Sequence, residues 1–169
     1  MNKNLDIQEF FIEGNDKKNS HVLLHITEPT TKEEQEKGYF LALAEIEQGN
    51  KEQIKHVQKM IDDLESGFYE SDKESVGAFE STLEFINQRT HKILSDNGAK
   101  LHCFVADVNN GEISFAYHGQ PQVFLFYNEK TGYQQLNLAE DPNTQEDQIF
   151  PSVIEGNIQT GDTFYLGTP

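Results

Sequence analysis

The chain begins with two short apolar stretches, QEFFIE (8–13) and HVLLHIT (21–27), separated by the polar run GNDKKNS. Both are rich in aromatic and β-branched residues and predict a first hairpin. The next segment, EPTTKEEQEKG (28–38), is dense in charge and predicts a loop. YFLALAEI (39–46) is almost continuously apolar, as expected of a central strand buried on both faces. Two stretches at helical spacing follow. In 51–70, Ile54, Val57, Ile61, Leu64 and Phe68 recur at steps of three and four residues. In 75–95, Phe79, Leu83, Ile86, Thr90 and Ile93 do the same, and Asn97-Gly98 supplies a stop signal. Each stripe predicts a helix laid on a core. Phe79, Leu83, Ile86 and Ile93 are expected to face the sheet that contains 100–108 and 112–118.

The second half reads as strands throughout. KLHCFVADV (100–108) runs into Asn110-Gly111, a two-residue hairpin signal. EISFAYH (112–118) leads into Gly119-Gln120-Pro121-Gln122, and VFLFY (123–127) follows. Pro121 presets φ for a turn, so this sequence predicts a tight connection between adjacent antiparallel strands. YQQLNL (133–138), IFPSVIEG (149–156) and DTFYLG (162–167) supply further strands. Strands, two helices and then a meander of strands define an α+β class. The expected architecture is a layered β-sandwich of antiparallel sheets with a pair of antiparallel helices on an outer face.

A length of 169 residues suits a single domain, 1–169, with room for a proper core. Pro169 comes directly after an apolar strand, and the chain is therefore expected to be a fragment, incomplete at its C-terminus. A hydrophobic content of 36%, with 12 Phe and 6 Tyr, excludes a disordered chain. No apolar run is long enough to span a membrane, and the first residues lack the apolar stretch of a signal peptide. The expected location is cytoplasmic. The single cysteine, Cys103, excludes an internal disulfide and, set mid-strand among apolar residues, reads as a buried structural thiol. The 29 acidic residues outnumber the 13 basic ones, for a formal charge of -16. That balance repels a phosphate backbone and an anionic membrane surface, which leaves nucleic acid and membrane off the list of partners.

Individual chemical motifs are sparse. His21 and His25, four apart on a strand, share one face, but two ligands do not make a metal site and no His/Cys cluster has zinc spacing. His56 and His91 fall on the helices and read as surface residues. No glycine-rich phosphate loop is present.

The order of the pieces is more informative, because it resembles the metal-dependent protein phosphatases of the PPM type (type 2C). In that family a strand ends in Asp-Gly-x-Gly-Gly and two long helices follow. Here YFLALA ends in Glu45-Ile46-Glu47-Gln48-Gly49-Asn50 ahead of two predicted helices. A family segment resembling Val-Ala-Asn-Val-Gly-Asp-Ser-Arg-Ala-x-Leu is matched without a gap by FAYHGQPQVFL, with Ala116, Gly119 and Leu125 kept. Gln120 then stands for the Asp and Gln122 for the Arg. The family's Gly-Asp-x-Leu-Leu-Leu-x-Ser/Thr-Asp-Gly is similar to GDTFYLGTP, which keeps Gly161, Asp162, Leu166 and Thr168 and puts Pro169 where a metal-binding Asp belongs.

The resemblance implies two Mg²⁺ or Mn²⁺ ions that turn a bridging water into a nucleophile for a phosphoester. Such a pair needs several carboxylates around it. Ser20 and His21 replace the family's N-terminal acid pair, and Gln120 and Pro169 replace two later acids, so Glu45 is the one expected metal ligand to survive. Its ordinary reading is a solvent-facing acid at a strand end. Glu47 could compensate only if the loop were rebuilt. The leading expectation is a catalytically inactive PPM-type domain, with no catalytic residues, no cofactor and an unidentified protein partner. The alternatives are a divergent, active Mg²⁺- or Mn²⁺-dependent Ser/Thr phosphatase and an unrelated α+β sandwich that binds a partner.

Overall fold

The computed structural model describes residues 5–11, 19–90, 98–142 and 148–169. Five antiparallel strands form the first sheet, in the order β1 (Ser20–Thr27), β2 (Tyr39–Glu47), β3 (Lys100–Asn109), β4 (Glu112–His118) and β7 (Ile154–Asn157). The second sheet has three antiparallel strands, in the order β6 (Gly132–Asn137), β5 (Gln122–Glu129) and β8 (Thr163–Gly167). α1 (Lys32–Lys37) precedes β2, and α2 (Lys51–Glu70) and α3 (Ser75–Thr90) lie between β2 and β3. No described helix is long and apolar enough to cross a membrane.

The layers follow from side-chain periodicity. Successive strand residues point to opposite faces. Phe40, Ala42, Ala44 and Ile46 of β2 join Leu101, Cys103 and Val105 of β3 on one face. There they meet Val57, Met60, Ile61, Leu64 and Phe68 of α2 and Phe79, Leu83 and Ile86 of α3. The alanines on the sheet let the helices approach closely. Phe104, Ala106, Val108, Ile113 and Phe115 occupy the opposite face and pack with Val123, Phe164 and Leu166 of the second sheet. The expected α+β sandwich with a helical pair on one outer face is therefore the observed fold. Both helical stripes point where their spacing predicts, except that the Thr90 side chain and Ile93 lie outside what is described. Cys103 is buried among apolar groups, and burial pushes its thiol up to about 12.

Three expectations about the connections are corrected. The partner of β1 is β2, in unbroken register from Ser20↔Glu47 to Thr27↔Phe40, rather than a strand at 8–13. Residues 8–11 are in no strand, and 12–13 lie outside the described residues. The charged segment 28–38 is not all loop, because Thr31 and Glu34 form a capping box that starts α1. That T-x-x-E signature was present in the sequence. Finally, 112–118 and 123–127 do not pair. β4 is flanked by β3 and β7, whereas β5 belongs to the other sheet, so Gly119-Gln120-Pro121-Gln122 is the crossover between layers. By contrast Asn110-Gly111 is the predicted hairpin turn, with both residues at positive φ (53° and 88°).

The strand-to-helix junction after β2 is held by Asn50, whose side chain accepts from the backbone N–H groups of Glu52 and Gln53, both at 2.9 Å. The Gln53 side chain in turn accepts from the Asn50 N–H at 2.9 Å. Replacing Asn50 with Ala leaves two N–H groups of the first turn without these acceptors. Chemical denaturation of Asn50→Ala is expected to show a loss of about 1 kcal/mol. An unchanged midpoint would show that water replaces the cap at no cost.

Candidate functional site

The end of β2 carries the one predicted ligand, and the sheet register decides what surrounds it. Glu45 stands opposite Val22 on β1 and His102 on β3. It lies on the face turned toward the second sheet. Glu45 is 6% exposed, and its Oε2 is buried without a hydrogen-bond partner among the described residues. The solvent-facing reading of Glu45 is thus corrected. A strand-end position left it ambiguous, and the structure buries it.

Beyond His102 the chain reaches the crossover. Gly119 has φ +72°, and a Cβ there would sit 2.4 Å from the Leu101 carbonyl oxygen and 2.7 Å from His102 Nδ1. No side chain fits that space. The turn brings the Gln120 N–H to His102 Nδ1, to which it donates at 2.9 Å. Nδ1 is therefore an acceptor, and the neutral ring carries its proton on Nε2. Gly167 of β8 pairs with Gln122, which sets Thr168 and Pro169 at this same end of the sandwich. Among the motif positions, then, Glu45, Gln120 and Pro169 converge on one end of the molecule. Ser20 pairs with Glu47 on the Glu45 face, whereas His21 pairs with Ile46 and lies on the helix side, away from it.

The donors at this end do not suit a pair of hard divalent ions. They comprise the carboxylates of Glu45 and Glu47, two residues apart on one strand face, an imidazole whose Nδ1 already accepts a backbone N–H, and an amide side chain. Among the described residues no group of three or more His, Cys, Asp or Glu side chains could hold a metal ion. Glu45 Oε2, buried without a hydrogen-bond partner among the described residues, has spare ligating capacity.

Two polar groups elsewhere were missed from the sequence. Asp107 interrupts the apolar run of β3, points to the helix side and is 2% exposed. Ser75 Oγ at the start of α3 lies 2.7 Å from Asp107 Oδ2 and 2.8 Å from the Lys37 carbonyl oxygen, and its one proton can serve only one of them. Burial raises the Asp107 carboxyl to about 6, against the lowering effect of its hydrogen bonds with Ser75 and Ser114. An Asp inside FVADV was the signal for it. His25 meets Glu65 of α2 at 2.9 Å, and the Thr27 hydroxyl donates to the same carboxylate, which ties β1 to the helical layer. His56 is exposed on α2, as expected, and His91 lies outside the described residues.

No protein-family model matches the chain, and no curated protein matches it in sequence. The structure is similar to the crystal structure of the serine/threonine phosphatase PstP of Mycobacterium tuberculosis, with a TM-score of 0.51 and 9% sequence identity. The match covers 87% of this chain and 77% of that one. The architecture is a PPM phosphatase-like fold.

Proposed function

We propose that the chain is a catalytically inactive PPM phosphatase-like domain that acts as a binding or regulatory module. One observation carries this reading. The motif positions that share this end of the sandwich are Ser20, Glu45, Gln120 and Pro169, and only Glu45 has a carboxylate. Two divalent cations in one small site repel each other strongly, and Glu45, even with Glu47 beside it on the same strand face, leaves most of that repulsion uncompensated. Fold likeness does not by itself carry activity. The buried, unpaired Oε2 of Glu45 favours a second reading, a divergent Mg²⁺- or Mn²⁺-dependent Ser/Thr phosphatase in which this oxygen is a ligand.

The test is turnover of a small aryl phosphate with millimolar Mn²⁺ or Mg²⁺. Loss of a metal-activated water removes several kcal/mol of transition-state stabilisation, roughly three or more decades in rate. The expected result is a rate equal to buffer, with no metal-dependent rise in Tm, since a tight ligand of the folded state would raise it. Metal-dependent turnover that Glu45→Ala abolishes would establish the second reading instead.

A further inference from the structure

The outer face of the three-stranded sheet has a composition unlike the rest of this acidic chain. Val123, Phe164 and Leu166 point inward, so Phe124, Phe126, Tyr165 and, through the pairing Asn128↔Tyr133, Tyr133 point outward. The remaining outward positions of these strands are Gln122, Asn128, Gln135, Asn137, Thr163 and Gly167. None carries a charge, in a chain of formal charge -16. Phe124, Phe126 and Tyr165 form a continuous, partly exposed ring surface. Phe124 lies 6.3 Å from Phe126 and 6.1 Å from Tyr165, centroid to centroid. The Tyr165 ring lies along its own strand, its hydroxyl 2.7 Å from where a Cβ on Gly167 would sit, so the missing side chain lets the ring lie flat. Tyr165 is 46% exposed and Tyr133 76%. The first sheet has α2 and α3 on its outer face. Among the described residues, no helix residue belongs to the core between the two sheets.

From this surface we infer that the outer face of the three-stranded sheet docks an amphipathic helix with cationic flanks on a partner protein. The inference rests on the reading of the chain as a binding module and supplies the chemistry of its partner. A pleated face takes either helices or another sheet, whereas an extended peptide pairs with an edge. Another sheet would most simply come from a second copy, but two copies of charge -16 repel one another. The turns that flank these strands carry Glu129 and Asp162 against one cation, Lys130. An apolar stripe on the rings, flanked by Lys or Arg over those acids, matches both parts of the surface. Aromatic rings without charge at the centre and charge at the rim are also the usual anatomy of an interface.

The test uses two synthetic peptides of about five helical turns, one Leu/Lys and one Leu/Glu, titrated into the whole chain by calorimetry. The Leu/Lys peptide is expected to bind. Phe126→Ser and Tyr165→Ser are each expected to weaken it about tenfold or more, a loss that raised salt alone does not reproduce. The Leu/Glu peptide is expected not to bind. Hydrogen exchange of the unmutated chain should show protection by the Leu/Lys peptide in 122–129 and 163–167, a readout that does not depend on how the variants fold. Failure of the Leu/Lys peptide to bind, equal binding by both variants, or protection confined to other segments overturns the docking surface. Sedimentation showing a dimer that Tyr165→Ser dissociates overturns it in favour of a second copy. Phosphatase turnover is read by the separate metal assay, so failure of the binding-module reading and failure of this surface are distinguishable.

Discussion

Gly119→Ala is expected to unfold far more readily than Gly98→Ala. Both glycines have nearly the same left-handed backbone, φ +72° and +75°. A Cβ at Gly98 meets nothing within 4 Å, whereas at Gly119 it would lie 2.4 Å from a backbone carbonyl oxygen and 2.7 Å from His102 Nδ1. The Gly98 variant therefore registers only the dihedral cost, about 1 kcal/mol. The Gly119 variant adds a clash with backbone that cannot rotate away, and relief of that clash pulls the Gln120 N–H off His102. A total of roughly 3–5 kcal/mol is expected, which for a chain of this size is about 10 °C in Tm. Thermal melts of the two variants side by side separate packing from dihedral strain. Equal losses would show that the crossover relaxes freely and that Glu45, His102 and Gln120 are not held together by it.

Asp107→Asn is expected to alter the pH dependence of stability. The folded-state carboxyl is raised to about 6, from an unfolded value near 3.8. Its stabilising contribution is therefore fully present below the unfolded value and is lost as pH rises through about 6. The chemistry agrees with the direction. When protonated, Asp107 can donate to Ser75 Oγ while Ser75 donates to the Lys37 carbonyl. When ionised, two acceptors compete for one proton, and Asp107 Oδ1 is buried without a partner among the described residues. Asn keeps a carbonyl acceptor for Ser75 and does not titrate. Relative to the parent, the variant should gain about 2–3 kcal/mol in unfolding free energy between pH 4 and pH 7, with the other carboxylates cancelling in the comparison. Parallel stability curves for the two proteins over that range would show that Asp107 does not titrate as stated.

The contrast between these two sites shows where sequence reading succeeded and where it stopped. α2 was legible because Ile54, Val57, Ile61, Leu64 and Phe68 set up a stripe that one neighbouring surface can bury, and its boundaries match Lys51–Glu70. The Asn110-Gly111 turn was legible because a two-residue hairpin demands positive φ at both positions. α1 was missed because charge density was read as loop, although Thr31 and Glu34 carry their own local capping interaction. The crossover at 119–122 was misread for a different reason. Strand, turn and strand look alike in sequence whether the second strand returns to the same sheet or leaves for another.

What the sequence determined by itself was therefore local or additive: most element types, the two-faced burial of β2, the acidity of the chain, and the scarcity of carboxylates at the motif positions. Each depends on residue type and on spacing over a few positions. The tertiary structure alone decided which strands are neighbours, and with that the chemistry of each polar group. It set Glu45 opposite His102 and buried it, aimed Asp107 at Ser75, moved His21 to the far face, and left Phe124, Phe126, Tyr133 and Tyr165 on one outer face. The physical reason is that strand pairing and layer stacking join residues distant in sequence. Burial, hydrogen bonding and charge environment are properties of those pairings rather than of the residues one at a time.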